Sequence, residues 1–491
     1  MLPPLIARHP RSFDPRSKER GITLALVALA MFSIIAMAGL SIDVGTLYQA
    51  SAEAQRAADS AALAAARVIS MSGITGDPTN ASGSWQLICK GSGTPATEAA
   101  VAVAQQNTVG GTAVPTPSIS VTYSAGSAPG TTSPDCTSLG AGFGVNPVVT
   151  VKVTQASLPT YFSRIWGRTG SSVSATASAE AFNPSNSSAY ASSGEMVPVQ
   201  PRCVKPWMVP NLDPFHTLTG PTPCTTNCAP FVDLAAGAIQ SPGVVPVGGT
   251  GVIGEKFWLV PDCAASGTCN PLPTAPEANK TIPGKTPNLE YLPGQASFAS
   301  VAVPSDGSDA CTAVASAGYY AQAIAGCDQS TQYQCGKAGL NTVDLSENPG
   351  LGDTMNGVQC LIHQSNTTGA APSGQDSLLP LGSPTPTYPF EIEVGSSNPL
   401  AATGIGATDL ITNSTSIVSV PIYDNTSVTI SPPTTSVTIV GFLQVFIHRV
   451  DGSGNVHVTV MNVSGCSNGV PSGTQALFGT SPVPVRLITP P

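Results

Sequence analysis

Twelve cysteines and five histidines are the side chains with the most chemistry to offer in this 491-residue sequence. The histidines (His9, His216, His363, His448, His457) are scattered, and no two cysteines stand at C-x-x-C spacing. Zinc sites draw on closely spaced thiolates and imidazoles, so disulfide formation is the chemistry this pattern favours. Cys89 and Cys136 form one group, and ten further cysteines run from Cys203 to Cys466. Both groups are even, so each can close on itself in an oxidising compartment. The candidate bridge residues are Cys224, Cys228, Cys263, Cys269, Cys327 and Cys335. Cys224 with Cys228 and Cys263 with Cys269 would make short loops, and the connectivity as a whole stays open. Catalytic patterns are missing: there is no G-x-S-x-G and no H-E-x-x-H. Gly284-Lys285-Thr286 imitates the end of a phosphate-binding loop, but Asn279 stands where its first glycine belongs. Pro276 and Pro283 also oppose that loop's geometry. With no nucleophile and base to pair, the sequence reads as a non-enzyme with no cofactor, no metal and no small-molecule substrate.

The elements that must carry these cysteines begin with a run of 20 uncharged residues, Gly21 to Leu40. At 1.5 Å per residue a helix of that length spans about 30 Å, the hydrocarbon thickness of a bilayer. Gly21, Leu24, Leu26, Phe32, Ile35 and Leu40 mark this membrane anchor. Arg8, Arg11, Arg16, Lys18 and Arg20 precede it, and basic flanks stay cytoplasmic. The N-terminus is therefore expected inside and the long remainder exported, in the periplasm or at the surface. Against a chain total of −9, the tail's five basic residues, with Asp14 and Glu19, leave the remainder at −12. An acidic exported body argues against nucleic-acid binding. Ala36-Met37-Ala38 also fits a signal-peptidase site, so a cleaved signal is the alternative to a retained anchor.

Behind the anchor, residues 43–70 are rich in alanine, the strongest helix former. Ala50, Ala54, Ala58, Ala62 and Ala66 recur every fourth position, and Ala57, Ala61 and Ala65 make a second row. Rows at i, i+4 share one face, and small side chains let another backbone approach closely. The expectation is an association helix standing off the membrane. It would pack on its own body or on similar helices, self-association included, through Asp43, Gly45, Ala54, Gln55, Ala58, Asp59 and Ala62. Glu53, Arg56 and Asp59 can pair along another side, and Gly39 and Gly45 can kink the helix.

The segment from Glu19 to Ala66 resembles the N-terminal module of Tad/Flp pilus-assembly proteins of the TadE/TadG-like type. The matching positions are Arg20 and Gly21, then Asp43, Val44 and Gly45, then Tyr48, Gln55, Ala57, Ala58, Asp59, Ala61, Ala62 and Leu63. The resemblance implies a bacterial tight-adherence pilus system, with the membrane and pilus-assembly proteins as partners. Cutting after Gly21 would place Leu26 where pseudopilins of that system carry Glu. The chain thus resembles the larger TadG-like accessory protein and not the fibre subunit. Some TadG-like proteins carry a von Willebrand factor A domain with an Asp-x-Ser-x-Ser metal site. Asp344-Leu-Ser-Glu-Asn348 approaches that motif, but its fifth residue is Asn and its preceding strand is poor, so a turn or cap is expected there.

Charged residues make up only 10% of the chain, and Gly and Pro number 49 and 46. Such a composition favours short strands and turns. The expected fold class is α+β: a transmembrane helix continuing into the alanine-rich helix, followed by a predominantly β, loop-rich exported body. The expected division is a basic tail (1–20), anchor (21–42), association helix (43–70), small β-rich or αβ module (71–182), linker (183–196) and disulfide-containing β-rich domain (197–491). Within the module, Val148–Val153 and 173–179 read as strands around a short helix starting near Pro159 and ending at Gly167, a pattern that also resembles TadG-like proteins. Further strands are expected at 256–260, 428–430, 437–447 and 456–463, the last two as a hairpin. Two functions compete: a non-enzymatic accessory component of pilus assembly, or a membrane-anchored surface adhesin that binds through its C-terminal body.

Overall fold

In a computed structural model the chain is described from residue 16 to 488, apart from 127, 168, 187–198, 219, 222–223, 225–226, 263–276, 334, 336–340, 348, 368–372, 381–384, 427 and 467–476. One unbroken helix, α1 (Arg16–Ser72), runs through the apolar run and the alanine rows. Its 57 residues span about 86 Å. Neither Gly39 nor Gly45 interrupts it.

The two halves of α1 live in different surroundings. From Ile22 to Ile42 the large apolar side chains are exposed, Leu24 by 76%, Leu26 by 59%, Phe32 by 65%, Ile35 by 61% and Leu40 by 52%. A continuous apolar surface of that size is not stable in water, and among the described residues α1 alone is long and apolar enough to cross a membrane. From Ala50 onward the two alanine rows, Ala50, Ala54, Ala58, Ala62 and Ala66 with Ala57, Ala61 and Ala65, are covered.

What covers them is the chain itself. Helix α2 (Pro95–Gln106) starts with Pro at its first turn and Glu98 accepting from the Gly93 N–H, and it buries Ala96, Ala100 and Ala104. Four antiparallel strands follow: β1 (Ile119–Ala125), β2 (Ala128–Ser133), β3 (Pro147–Leu158) and β4 (Ser171–Ala181). Val149, Val151 and Val153 of β3 and Ala175, Ala177 and Ala179 of β4 form one core with Ala54, Ala58 and Ala62 of α1. Small residues on both helices and on β4 let the backbones approach, which is what the i, i+4 rows are for. The alanine face thus packs on the chain's own body, one of the two partners expected for it. The residues of α1 left open beside it are Ser51, Ala52, Gln55 and Arg56.

The second layer is a closed six-stranded barrel. Its strands are β5 (Trp207–Pro210), β6 (Lys256–Pro261), β7 (Asn288–Pro293), β8 (Ile417–Tyr423), β9 (Ile439–Val450) and β10 (Val456–Gly465). They run in the order β6-β7-β5-β8-β9-β10, with β10 closing on β6. Apolar β9 pairs on both sides and supplies Leu443, Val445 and Ile447 to the barrel core. The 428–430 stretch forms no strand. The last strand, β11 (Val485–Ile488), leaves the barrel and pairs with β4, where Arg486 meets the buried Glu180. That return explains why both faces of β4 are buried at its end, where alternation predicts one.

Barrel and module share a polar seam. Asn462 of β10 donates to the Ser70 carbonyl at 2.7 Å and to Thr75 Oγ1 at 3.2 Å, and Asn183 donates to the same Thr75 oxygen at 3.0 Å. All are buried. Asn183 therefore belongs to packed structure although it opens the stretch read as a linker, and 187–196 lie outside the described residues. Gly73 adopts φ +80, and a Cβ there would meet Ile253 and the Met461 carbonyl at 2.5 Å. Glycine is required on both counts.

Five bridges lie among the described residues: Cys89–Cys136, Cys203–Cys327, Cys224–Cys228, Cys311–Cys360 and Cys335–Cys466. Cys327 and Cys335 thus pair with partners 124 and 131 residues away in sequence, while Cys263 and Cys269 lie outside the described residues. Cys89–Cys136 closes a loop of 47 residues in the module, worth about 4 kcal/mol by loop-closure entropy. The double variant Cys89→Ser/Cys136→Ser should lose stability of that order in calorimetric unfolding. An unchanged melting temperature would show that the bridge adds nothing.

Candidate functional site

The place where the apolar half of α1 meets the body is built around Asp43. Its carboxylate accepts from three successive backbone amides of the loop after β3. Oδ1 takes the Tyr161 N–H at 2.9 Å, and Oδ2 takes those of Phe162 at 3.1 Å and Ser163 at 2.7 Å. These amides precede or open a short 3-10 turn, Ser163–Trp166, which ends at Gly167 in the left-handed region. The expected helix start near Pro159 is displaced to Ser163, and the bend at 161–162 before it is held on Asp43. Free N–H groups at a helix start attract a carboxylate. Here the carboxylate comes from another helix, about 120 residues earlier in sequence.

Asp43 is only 4% exposed. Burial pushes its carboxyl up, but the N–H groups of Ser163, Tyr161 and Phe162 outweigh that and hold it below the ordinary carboxylate range. One helical turn earlier, Gly39 is buried under the Phe162 ring, and a Cβ at Gly39 would stand 2.7 Å from it. Gly39 lies inside the apolar run, so the loop reaches back to the level of that run. The body thus packs against α1 from the end of the apolar run onward. Tyr161 on this loop is 60% exposed, and Tyr48 one turn further along α1 is exposed as well.

Glu53 repeats the device, accepting from the Gly110 N–H at 2.8 Å and from Gln49 Nε2 at 3.0 Å. Asp59 accepts from Gln55 Nε2 at 2.7 Å. The amide groups named here are hydrogen-bond partners of Glu53 and Asp59, and Arg56 adds an electrostatic attraction to Glu53. Gly45 faces open space, with nothing within 4 Å of where a Cβ would stand. Thus Ala54, Ala58 and Ala62 are core, Asp43 is a clamp, and Gln55 and Asp59 lie at the open edge. Residue spacing alone did not assign Asp43 its partner, since that partner is backbone. The recurrence of Asp43 and of the 161–167 stretch in one resemblance was the only available signal.

The other chemistry-bearing motifs have structural roles. Lys285 pairs with Asp451 at 2.5 Å and stacks over Trp258, on a turn made by Gly284 at φ +71. Asp344 ends a strand and accepts from the Ser346 N–H at 2.8 Å, a turn. His363 lies 3.0 Å from Asp306, and no hydroxyl hydrogen-bonds its ring among the described residues. One set, Asp213, His216 and Glu255, brings together side chains able to hold a metal ion among the described residues.

No curated protein and no solved structure matches the chain. A family comparison does find a match, confined to about a tenth of the sequence. Residues 21–68 fit the model described as putative Flp pilus-assembly TadE/G-like, so the segment the chain shares with that family is the one that carries the apolar run, the Asp43 clamp and the alanine face.

Proposed function

We propose that the chain is a single-pass protein of the bacterial inner membrane and a non-enzymatic accessory component of Tad/Flp-type pilus assembly. The observation that carries this reading is that the family-matched segment 21–68 is at once the apolar helix and the central helix of the body. A cleaved leader would not be expected to continue unbroken into a core element. The five basic residues before Gly21 favour a cytoplasmic N-terminus, which puts the barrel, with its disulfides, on the oxidising side. Contact with the rest of the machinery would use the face of α1 that the body leaves open (Ala52, Gln55, Arg56) and the exposed flank of the anchor.

In this arrangement Tyr161 and Tyr48 sit at the outer headgroup level, where tyrosine is favoured. A photo-reactive phenylalanine analogue at Tyr161 should cross-link phospholipid in intact membranes, and one at buried Tyr123 should not. Equal lipid labelling at both positions would place the body elsewhere. The functional reading is tested by replacing residues 1–42 with a cleavable signal peptide. The body should still be exported and form its disulfides, while pilus formation should fail. Full pilus formation with the detached body would overturn the anchoring role.

A further inference from the structure

The cluster of Asp213, His216 and Glu255 lies far from the clamp and takes no part in the reading above. Asp213 and His216 sit on the turn after β5, and Glu255 immediately precedes β6. His216 Nδ1 is 2.7 Å from Asp213 Oδ2 and 3.1 Å from Glu255 Oε1. All three residues are more than nine-tenths buried. One donor atom from each lies within 4.8 Å of the other two.

Three features point beyond an ion pair. The first is orientation. His216 Nε2 lies 2.6 Å from the Thr250 carbonyl, which can only accept, so Nε2 carries a proton. In the neutral ring this leaves the Nδ1 lone pair aimed between the two carboxylates. A carbonyl fixing the far nitrogen is the usual outer-shell partner of a metal-binding histidine. Asp213 is oriented in the same way, with Oδ1 accepting from the Phe215 N–H at 2.8 Å and the His216 N–H at 3.3 Å while Oδ2 faces the ring. The second feature is an orphan: Glu255 Oε2 is buried and has no hydrogen-bond partner. Such an atom is costly unless something fills its coordination. The third is charge. Two buried carboxylates around one imidazole stand at −1 with one proton among them and reach zero either with a second proton on the acid pair or with a divalent cation, and an uncompensated buried charge is strongly disfavoured.

We propose that Asp213, His216 and Glu255 form a buried structural site for one divalent transition-metal ion, held by His216 Nδ1, Asp213 Oδ2 and the Glu255 carboxylate. One imidazole with two carboxylates is a donor set that suits Zn²⁺, and Mn²⁺ next. The ion would tie the 213–216 turn to the 250–255 segment. That segment carries Ile253, which lies against Gly73 and Gly76 at the end of α1. The site would therefore lock the barrel onto the helix that leads to the membrane.

The test uses the full chain, purified in detergent with its disulfides intact, stripped with a chelator and dialysed against Zn²⁺ or Mn²⁺. Metal is then counted by mass spectrometry. The expected result is one Zn²⁺ per chain, a higher melting temperature with Zn²⁺, and at least a ~tenfold loss of affinity in Glu255→Gln and in His216→Gln. His363→Gln, at a histidine paired with the exposed Asp306, should retain the ion. Wild-type protein that holds neither Zn²⁺ nor Mn²⁺ overturns the proposal without reference to any variant, and leaves a buried imidazolium between two carboxylates. Zn²⁺ retained undiminished by both Glu255→Gln and His216→Gln would put the ion elsewhere and overturn it equally.

Discussion

Replacing Asp43 with alanine should release the loop of residues 160–167 from α1. Three consecutive amides would lose their common acceptor, and among the described residues no other side chain accepts from them. Arg164 lies in the middle of this loop with its side chain exposed, which supplies a direct readout. Tryptic cleavage after Arg164 should be slow in the wild type and at least tenfold faster in Asp43→Ala, because cleavage of a closed segment follows the population of its open form (a ~1.4 kcal/mol shift is tenfold). Asp43→Asn keeps one oxygen acceptor and should fall between the two. The acid dependence follows from the sign of the shift. The folded carboxyl lies below its unfolded value, so its contribution is complete above about pH 4 and is lost as pH falls through the lower folded value. The clamp should therefore hold throughout the mildly acidic range. Equal cleavage rates in wild type and Asp43→Ala would mean that the loop is held by Phe162 on Gly39 alone.

The second large effect is expected at Ala58. Its side chain is fully buried between α1, α2 and the sheet. Leucine there adds three carbons to a filled space and should cost about 1–3 kcal/mol. Ala58→Leu/Ala62→Leu should cost more than either alone, since the two sit one turn apart on the same face. Ala52→Leu, on the open side of the same helix, should stay within about 0.5 kcal/mol of wild type. Calorimetric unfolding of the three variants checks this ordering. If Ala58→Leu is as stable as Ala52→Leu, the alanine face is not covered by the chain's own sheet. Loss of partner binding in Ala58→Leu is in either case no evidence for a direct contact, because the variant alters the core first.

The comparison of these two residues shows what the sequence could and could not disclose. The i, i+4 alanine rows declared a close-packing face, and the structure has such a face. They did not say whose backbone fills it, because small residues carry no directional chemistry. The uncharged run from Gly21 to Leu40 was legible from length and composition alone, as were the strands at 148–153, 173–179 and 256–260, which advertise themselves by β-branched residues or alternation. The barrel was not legible. Its closure pairs β10 with β6 about 200 residues away, and its parallel pairs have no local turn to mark them. Cys224 and Cys228 stand close enough in sequence to suggest one another, whereas Cys335 meets Cys466 only because β9 and β10 fold between them. His216 looked scattered for the same reason: Asp213 is three residues away, but Glu255 is delivered by another strand. Asp43 was visible as one position of the family resemblance, while its role was not, since its partners are amides that any residues could supply.

The central claim is that α1 presents its anchor and its uncovered face to a pilus-assembly machine while its alanine face serves the fold. In-cell photo-cross-linking from three positions on α1 tests it most directly: Leu26 in the anchor, Arg56 on the open face and Ala61 in the core. Identified Tad/Flp pilus-assembly proteins should be captured from Leu26 or Arg56, and Ala61 should yield only cross-links within the chain. Capture of assembly proteins from Ala61, or from none of the three while the body is folded and exported, would contradict the account.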